Sequence, residues 1–571
     1  MEYKKLAEFY EEVSKTPKRL EKIEITSKFL KKIPKDEKEI LYLILGDIYP
    51  EYDERKIGIS HQLVIKALAK TTGIDPKKIV KEWKTLGDLG EVAKKITNTK
   101  KQSTLTPNKF LTTDHVLKNM RKLPELEGKG TVDKKMSLIT ELLISASPLE
   151  ATYLIRTLIG DLRIGLKENT IRSAIASSFF GRTKESEEAI QTAVDKSNDL
   201  ATVFEIATER DLKKLAKISL EIGKPIKAML AQKTKTIKEG FEALGKPCAI
   251  EYKYDGFRLI IHKKEDQVYL FTRSLENVTK QFPEVINYIQ KYVDGKNFIL
   301  DTEAVGFDKK TKEYKPFQDI SQRIRRKYHI EKLQEDLPVE VNVFDILYYN
   351  GKTLLDEPFE KRAALVRKIV EKHPYKIICA KQIITGDEKK AEEFYNNALK
   401  DHQEGVMMKN LQAKYNPGSR VGHMLKMKPN ERELDLVIVG GEYGAGKRSG
   451  WLSSFIVACL DKKTKKFLEV GKVGTGIKEK QGEGVSFEEL TNKLLKLKIS
   501  EQGKNIKVKP EIIVTLTYQE VQRSPTYDSG FALRFPRVTA LREDKPLSEI
   551  NTLEEIKEDF EKQNRNAEWR Y

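Results

Sequence analysis

The hydrophobic pattern of this chain changes its period twice, and one core cannot satisfy all three patterns. Up to about residue 220 the apolar residues recur at helical spacing. Ile155, Leu158, Ile159 and Leu162 fall at i, i+3, i+4 and i+7, which makes one apolar stripe. Arg156 and Arg163, seven apart, share a face away from that stripe, either as a solvated basic face or as phosphate contacts. Gly165 reads as a helix stop, and residues 167–176 open another helical pattern. From Pro225 short strand-like runs take over, at 249–252, 259–262, 268–273, 298–300, 339–347 and 405–409, with helical stretches such as 361–370 between them. That mixture predicts an α+β or α/β domain. After Lys428-Pro429-Asn430 the runs at 434–440, 454–460, 467–473 and 512–518 have the spacing of a small β-barrel. Thr552 and Glu555 then form a capping-box signature for one terminal helix. A chain of 571 residues is too long for a single core, so three domains are expected, at 1–221, 222–429 and 430–571.

The charge balance narrows the partners. A net charge of +19 is spread along a chain that also carries 86 acidic residues, so it is not a disordered basic tail. Such a surplus suits a polyanion, with nucleic acid first among them, or a Lys/Glu-rich surface of the kind hyperthermophile proteins carry. The three cysteines, Cys248, Cys379 and Cys459, lie far apart and form no C-x-x-C pair, which excludes a disulfide framework and a zinc ribbon. No stretch before Lys253 is apolar enough for a signal peptide or a membrane span, and a cytoplasmic location is expected.

The chemistry concentrates around Glu251-Tyr252-Lys253-Tyr254-Asp255-Gly256-Phe257-Arg258, a lysine just past a short strand, an Asp-Gly turn and an arginine. A protonated lysine is a poor nucleophile, and a neighbouring arginine or metal ion lowers its pKa and frees its lone pair. Alone, this motif also suits an ordinary strand-to-hairpin turn. Six further segments follow in order: Phe271-Thr272-Arg273-Ser274, Leu300-Asp301-Thr302-Glu303-Ala304, Val343-Phe344-Asp345, Glu404-Gly405-Val406-Met407-Met408-Lys409, Leu425-Lys426-Met427-Lys428 and Leu533-Arg534-Phe535-Pro536-Arg537. The ordered series resembles the motifs of ATP-dependent DNA ligases of the archaeal and eukaryotic replicative type, within the covalent nucleotidyltransferase superfamily. It covers essentially the whole chain.

This resemblance implies an all-α DNA-binding domain, an α+β nucleotidyltransferase (adenylation) domain and a C-terminal OB-fold. It implies that Lys253 attacks the α-phosphate of ATP, that AMP then moves to the 5′-phosphate of a nick, and that the 3′-hydroxyl displaces it. Glu251 would accept a hydrogen bond from the adenine amino group, and Phe344 would stack on the purine, though an alternating-strand aromatic could equally be core. Arg258 and Arg273 would hold ribose and phosphate, since guanidinium forks suit such oxygens. Glu303 would bind the ribose or help place a metal, and Glu404 would bind magnesium, a hard cation that prefers oxygen ligands. Arg420, Lys426 and Lys428 would neutralise the triphosphate. Arg534 and Arg537 would act in DNA binding or in closure for the first step.

The segment Gly160-Asp161-Leu162-Arg163-Ile164-Gly165-Leu166 resembles one that lies against the DNA minor groove in this family; glycines for helix packing are the competing explanation. Residues 225–231 resemble the family's approach to the catalytic domain and place that boundary near residue 222. The expected partners are nicked duplex DNA and, as a candidate, a sliding clamp, with the chain acting as a monomer. Two positions depart from the family pattern. Met424 stands where an aromatic usually precedes Leu-Lys-x-Lys, and Val538, Thr539 and Ala540 follow Arg537 where further basic residues are common. The second departure puts DNA contacts just after Arg537 in doubt.

Rival readings are an RNA ligase, a capping-type nucleotidyltransferase, or a non-catalytic DNA clamp of the same fold. The large front domain and Glu251 argue against the first two, and Lys253, Glu303, Glu404 and Lys426 together argue against the third. An NAD-dependent ligase would bring a four-cysteine zinc site that this chain cannot build. Gly441 to Lys447 matches the spacing of a phosphate loop, but Arg448 stands where Ser or Thr should hold magnesium, and residues 451–460 read as strand rather than helix.

Overall fold

The computed structural model describes residues 1–53, 55–98, 110–126, 128, 130–315, 317, 320, 323–324, 330–429, 432–444, 448, 450–479 and 485–568. The chain forms two compact units, one of Met1–Glu82 with Leu89–Lys428, the other of Trp83–Asp88 with Pro429–Tyr571.

In the first unit the helical region runs from helix Tyr3–Ser14 to helix Leu212–Ala216. Its helices are started by their own sequence. Ser147 and Glu150 form a reciprocal capping box ahead of helix Pro148–Leu158, and Asp199 caps helix Leu200–Ala207. Tyr10 and Tyr153, with ring centroids 4.8 Å apart, join helices Tyr3–Ser14 and Pro148–Leu158 inside this core.

The stripe expected over Ile155 to Leu162 is shorter than its spacing predicted. The helix ends at Leu158, Ile159 caps it, and Gly160 turns the chain with φ 70°. Leu162 and Arg163 therefore lie in the following turn, where Arg163 itself adopts φ 58°. The shared solvated face for Arg156 and Arg163 is also corrected. Arg156 is buried and its guanidinium pairs with Glu91 at 3.0 Å, whereas Arg163 pairs with Asp161 at 2.7 Å. Periodicity could not show this, because a glycine in a left-handed conformation stops a helix without breaking the apolar spacing. The next helix, Glu168–Phe179, starts where the sequence places it.

Among the described residues the remainder of this unit is built on twelve strands: β1 (Leu230–Lys233), β2 (Cys248–Lys253), β3 (Phe257–Lys264), β4 (Gln267–Thr272), β5 (Asn297–Phe307), β6 (Tyr314–Lys315), β7 (Val339–Tyr349), β8 (Lys352–Thr353), β9 (Ile377–Cys379), β10 (Gln382–Thr385), β11 (Gly405–Lys409) and β12 (Arg420–Met427). They form two sheets. One has the order β1-β12-β11-β2-β10; the other runs β4-β3-β5-β7-β8, with β6 on β5 and β9 on β7. Alternation along β3 explains its place, since Phe257, Leu259 and Ile261 enter one core cluster and Ile260 enters another. Helix Phe359–Ile369 covers the predicted stretch at 361–370.

The helical region and the sheets meet within this unit. Lys227, just before β1, reaches Glu168 at 2.9 Å and Glu51 at 2.5 Å, and Asn198 Nδ2 donates to the Pro225 carbonyl at 3.2 Å. Among the described residues no helix is long and apolar enough to cross a membrane.

The second unit carries β13 (Arg432–Tyr443), β14 (Leu452–Asp461), β15 (Lys466–Val473), β16 (Lys498–Gln502), β17 (Asn505–Val508), β18 (Ile513–Tyr518), β19 (Glu520–Arg523), β20 (Phe531–Arg534) and β21 (Arg537–Leu541). β13 pairs with β14 on one side; on the other it pairs with β18 along Arg432–Val437 and with β17 along Gly440–Glu442. A register shift between Ile438 and Gly440 marks the change of partner, as a bulge does where a strand bends. Helix Phe487–Lys496 places Phe487, Leu490 and Leu494 in the core. The succession of three strands, a helix and further strands fits the expected OB-fold class.

The expected terminal helix is Leu553–Glu568, and both halves of its capping box form: Thr552 N donates to Glu555 Oε2 at 2.6 Å, and Glu555 N donates to Thr552 Oγ1 at 3.3 Å. The phosphate-loop spacing begins inside β13, which holds Gly441 to Tyr443, and among the described residues the next strand is β14. Ala445, Gly446, Lys447 and the boundary residue Asn430 lie outside the described residues.

Candidate active site

Lys253 is the last residue of β2 in one sheet, and Phe257 is the first of β3 in the other. The four residues from Lys253 to Gly256 carry the chain from sheet to sheet, which explains the Asp-Gly after the lysine. A Cβ on Gly256 would lie 2.3 Å from the Ala304 carbonyl oxygen, so only glycine lets β3 meet β5 here. Asp255 N donates to Gln403 Oε1 at 3.1 Å, pinning the crossover from the other side.

Strand register delivers Glu404 to the lysine. β11 runs antiparallel to β2 with Gly405 opposite Lys253, and Glu404 N donates to the Lys253 carbonyl at 2.9 Å. The Glu404 carboxylate lies 2.5 Å from Lys253 Nζ and also takes the ammonium of Lys428. Burial pushes the Glu404 carboxyl up, but the two ammonium groups outweigh it and hold it down at about 2. Gly405 has φ 137°, and a Cβ there would meet the Met427 carbonyl oxygen at 2.2 Å, which accounts for the Glu-Gly dipeptide.

On the facing sheet, Glu303 of β5 stands opposite Arg258 of β3 and Asn342 of β7. Burial raises its carboxyl to about 7 against the opposing pull of Lys253 and Arg258. Lys426 of β12 is half-buried. Burial, followed by repulsion from Lys253, Lys428, Arg420 and Lys233, depresses its ammonium. Two carboxylates thus face a concentration of cations that a bound polyanion would relieve.

The structure gathers Lys253, Arg258, Glu303, Glu404, Lys426 and Lys428 around this crossover. The Arg258 guanidinium is engaged within the protein. Its Nε donates to Asp301 Oδ1 at 2.7 Å, its Nη2 donates to Asp301 Oδ2, and its Nη1 donates to the Met229 carbonyl at 3.0 Å. Tyr415 OH completes the arrangement, donating to Asp301 Oδ2 at 2.7 Å.

Glu251, two residues before the lysine, is buried and pairs with Lys409 at 2.6 Å. The half-buried ring of Phe344 has Lys409 Nζ 4.7 Å and the Arg258 guanidinium 5.3 Å from its centroid, and it packs against the cluster that includes Tyr252 and Met408. Arg420 is exposed at the start of β12, and Arg273 is exposed just beyond β4. Arg534 and Arg537 belong to the second unit. Arg534 pairs with Glu520 at 3.0 Å, and Arg537 opens β21. Asp301, Tyr415 and Gln382, a neighbour of Glu251, received no role from sequence. Asp301 stands two residues before Glu303, and the strand period of two puts both on one face, a signal that could have found it. Tyr415 lies between β11 and β12, and no spacing marks it.

Comparisons with known proteins agree along the chain. Residues 2–176 match the DNA ligase N terminus, 228–428 the ATP dependent DNA ligase domain, and 448–545 the ATP dependent DNA ligase C terminal region. The DNA ligase of Nanoarchaeum equitans is 44% identical over 565 residues, 99% of each chain. That of Thermococcus onnurineus is 39% identical over 566 residues, again 99% of each. The solved structure Pmar-Lig_Pre covers 94% of this chain and 99% of its own at a TM-score of 0.60 and 20% identity, a likeness of fold. The matched domains are those of a nucleotidyltransferase that uses ATP. The chain belongs to the ATP-dependent DNA ligase family.

Proposed function

We propose that this protein seals nicks in duplex DNA through an AMP carried on Lys253, in the service of DNA replication, repair and recombination. The observation that carries the proposal is the placement of Lys253 at the sheet crossover, paired with Glu404 and surrounded by Lys426 and Lys428. In the resting site Glu404 pairs with Lys253. A protonated amine is a poor nucleophile, so the proton passes to solvent before the lone pair attacks. An arriving triphosphate competes with Glu404 for Lys253 and Lys428, with Lys426 beside them, and so brings the phosphorus beside the nitrogen while loosening that pair. The new bond is Nζ to the α-phosphorus; the bond that breaks joins that phosphorus to the departing pyrophosphate. Lys426 and Lys428 stabilise the charge that builds on the transferred group. AMP then passes to the 5′-phosphate of the nick, and the 3′-hydroxyl displaces it.

Glu303 and Glu404 fit a magnesium ion held jointly with substrate phosphates. Among the described residues no cluster of three or more metal-ligating side chains forms, and magnesium bound with a nucleotide ordinarily needs only one or two carboxylates. A bound magnesium ion would neutralise phosphate charge. Glu251 and Phe344 would meet the adenine edge and face, Arg258 and Arg273 ribose and phosphate, and Arg420 the triphosphate.

Within this reading, residues 1–221 supply DNA contacts, 222–429 adenylation and 430–571 the OB-fold. The turn bearing Arg163 approaches the phosphate backbone, and Arg534 and Arg537 serve the first step. Nicked duplex DNA is the substrate, a sliding clamp is a candidate partner, and the single chain is the working unit. Incubation with ATP labelled at the α-phosphate should leave an acid-labile label on Lys253 that a nicked duplex discharges onto its 5′-phosphate. A label on another residue, or none, overturns the proposal.

A further inference from the structure

Glu251 and Gln382 stand directly opposite each other on β2 and β10, so their side chains leave the sheet on the same face. Gln382 Nε2 donates to Glu251 Oε1 at 2.7 Å, while Lys409 Nζ lies 2.6 Å from Glu251 Oε2. Glu251 is only 2% exposed, and a carboxyl group so enclosed needs partners for its oxygens, which also fix its direction. Lys409 is boxed in turn, its ammonium 4.7 Å from the centroid of Phe344 and 4.5 Å from that of Phe359. Each carboxylate oxygen thus carries one donor and keeps lone-pair capacity for another.

The two donors differ in what they fix. An ammonium is a rotatable point charge; the planar amide of Gln382, anchored on a paired strand, sets the carboxylate plane.

We infer that Gln382 is a positioning residue for base selection: with Lys409 it holds Glu251 as an oriented acceptor, which favours the amino edge of adenine and repels the carbonyl edge of guanine. The inference rests on the reading that Glu251 meets the purine. Gln382 acts through Glu251 and need not touch the nucleotide.

The test is labelling of Lys253 by ATP and by GTP, as a function of nucleotide concentration, in the full chain. Gln382→Met keeps the side-chain volume and removes the amide. It should raise KM for ATP about tenfold, leave kcat at saturation within about twofold, and raise labelling by GTP relative to ATP. Gln382→Glu keeps the shape but sets a like charge opposite Glu251, and should raise KM further. Unchanged KM and unchanged ATP preference in both variants overturns the inference. So does a parallel loss of kcat with a lowered melting temperature, which would mark Gln382 as merely structural. Glu251→Ala, measured alongside, separates the two readings. If it raises KM while Gln382→Met does not, only the role of Gln382 fails. If it too leaves KM unchanged, the purine reading of Glu251 fails with it.

Discussion

Lys253 and Glu404 are joined twice at the end of the ladder between β2 and β11, one step beyond the pairing of Lys253 with Gly405. Their side chains meet at 2.5 Å, and Glu404 N donates to the Lys253 carbonyl at 2.9 Å. Main chain and side chain thus fix the same pair, so the candidate nucleophile is aimed before any nucleotide arrives. This arrangement predicts that Lys253→Ala abolishes labelling by ATP, a loss beyond about a thousandfold, because a methyl group has no lone pair to offer. Affinity for nicked duplex, measured by filter binding, should change by less than about threefold, since a single contact carries little of a phosphate-dominated interface. Sealing retained by the purified variant would contradict the mechanism.

Arg163 provides a test of the helical region. It sits in a turn with positive φ at Arg163 itself, at Gly160 and at Gly165, and its guanidinium pairs with Asp161. If that turn meets the phosphate backbone, Arg163→Ala should weaken nick binding at every sequence tested and reduce the slope of log K against log salt by about 1. An unchanged slope in a salt titration would confine Arg163 to holding the turn through Asp161.

Arg534 and Arg537 should separate the reaction steps. Pyrophosphate carries dense negative charge as it leaves, and arginines serving that departure lower the barrier to lysine attack alone. The double substitution Arg534→Ala with Arg537→Ala is therefore expected to slow ATP labelling of Lys253 by about a hundredfold. Single-turnover sealing of a nick that already carries a 5′-adenylate should fall far less. Equal loss in both assays would assign the pair to DNA binding or to the stability of their own unit.

His262 sets a pH limit on stability. Its ring is buried on β3, Nδ1 accepts from Gly223 N at 3.1 Å, and burial pushes its pKa down to about 3. The folded chain keeps the ring neutral, whereas the unfolded chain protonates it below about 6.5. Stability from this group is complete above that value and falls as the pH drops toward 3; the loss should reach about 2 kcal/mol at pH 5. Denaturant titrations at pH 7 and pH 5 should show a smaller difference for His262→Gln, which keeps an acceptor without a titrating ring. Equal differences would rule His262 out as the source.

The residues with distinctive chemistry were legible from order and spacing. Lys253, Glu303, Glu404 and Lys426 sit in short ordered motifs, and in two of these a glycine betrays tight backbone packing, Gly256 against Ala304 and Gly405 against Met427. Strand-like runs likewise marked β2, β3, β4, β5, β7 and β11, and β13, β14, β15 and β18 of the second unit, but not β16, β17, β19, β20 or β21. Partnerships across strands far apart in sequence were not legible. Gln382 lies 131 residues from Glu251, and only register brings them opposite. Asp301 and Tyr415 lie 114 residues apart, and each looks ordinary in its own segment. The end of helix Pro148–Leu158 was misjudged for a related reason. Apolar spacing persists through the turn at Gly160, because Leu162 is buried from a loop rather than from a helix face.

The bonds around Asp301 tie the two sheets together. Arg258 and Asp301 belong to the sheet of β3 and β5, while Met229 and Tyr415 flank strands of the other. Spreading the sheets would keep Arg258 and Asp301 together but take the Tyr415 hydroxyl from the carboxylate and the Met229 carbonyl from the guanidinium, two hydrogen bonds to charged groups worth roughly 1.5–3 kcal/mol each. The spacing of the two sheets is therefore preset beside Lys253, and on the proposed function a flat purine would enter a slot of fixed width with little ordering left to do on binding. Mutations at Asp301 or Tyr415 should register first as looseness in what the slot admits, well before they touch the lysine.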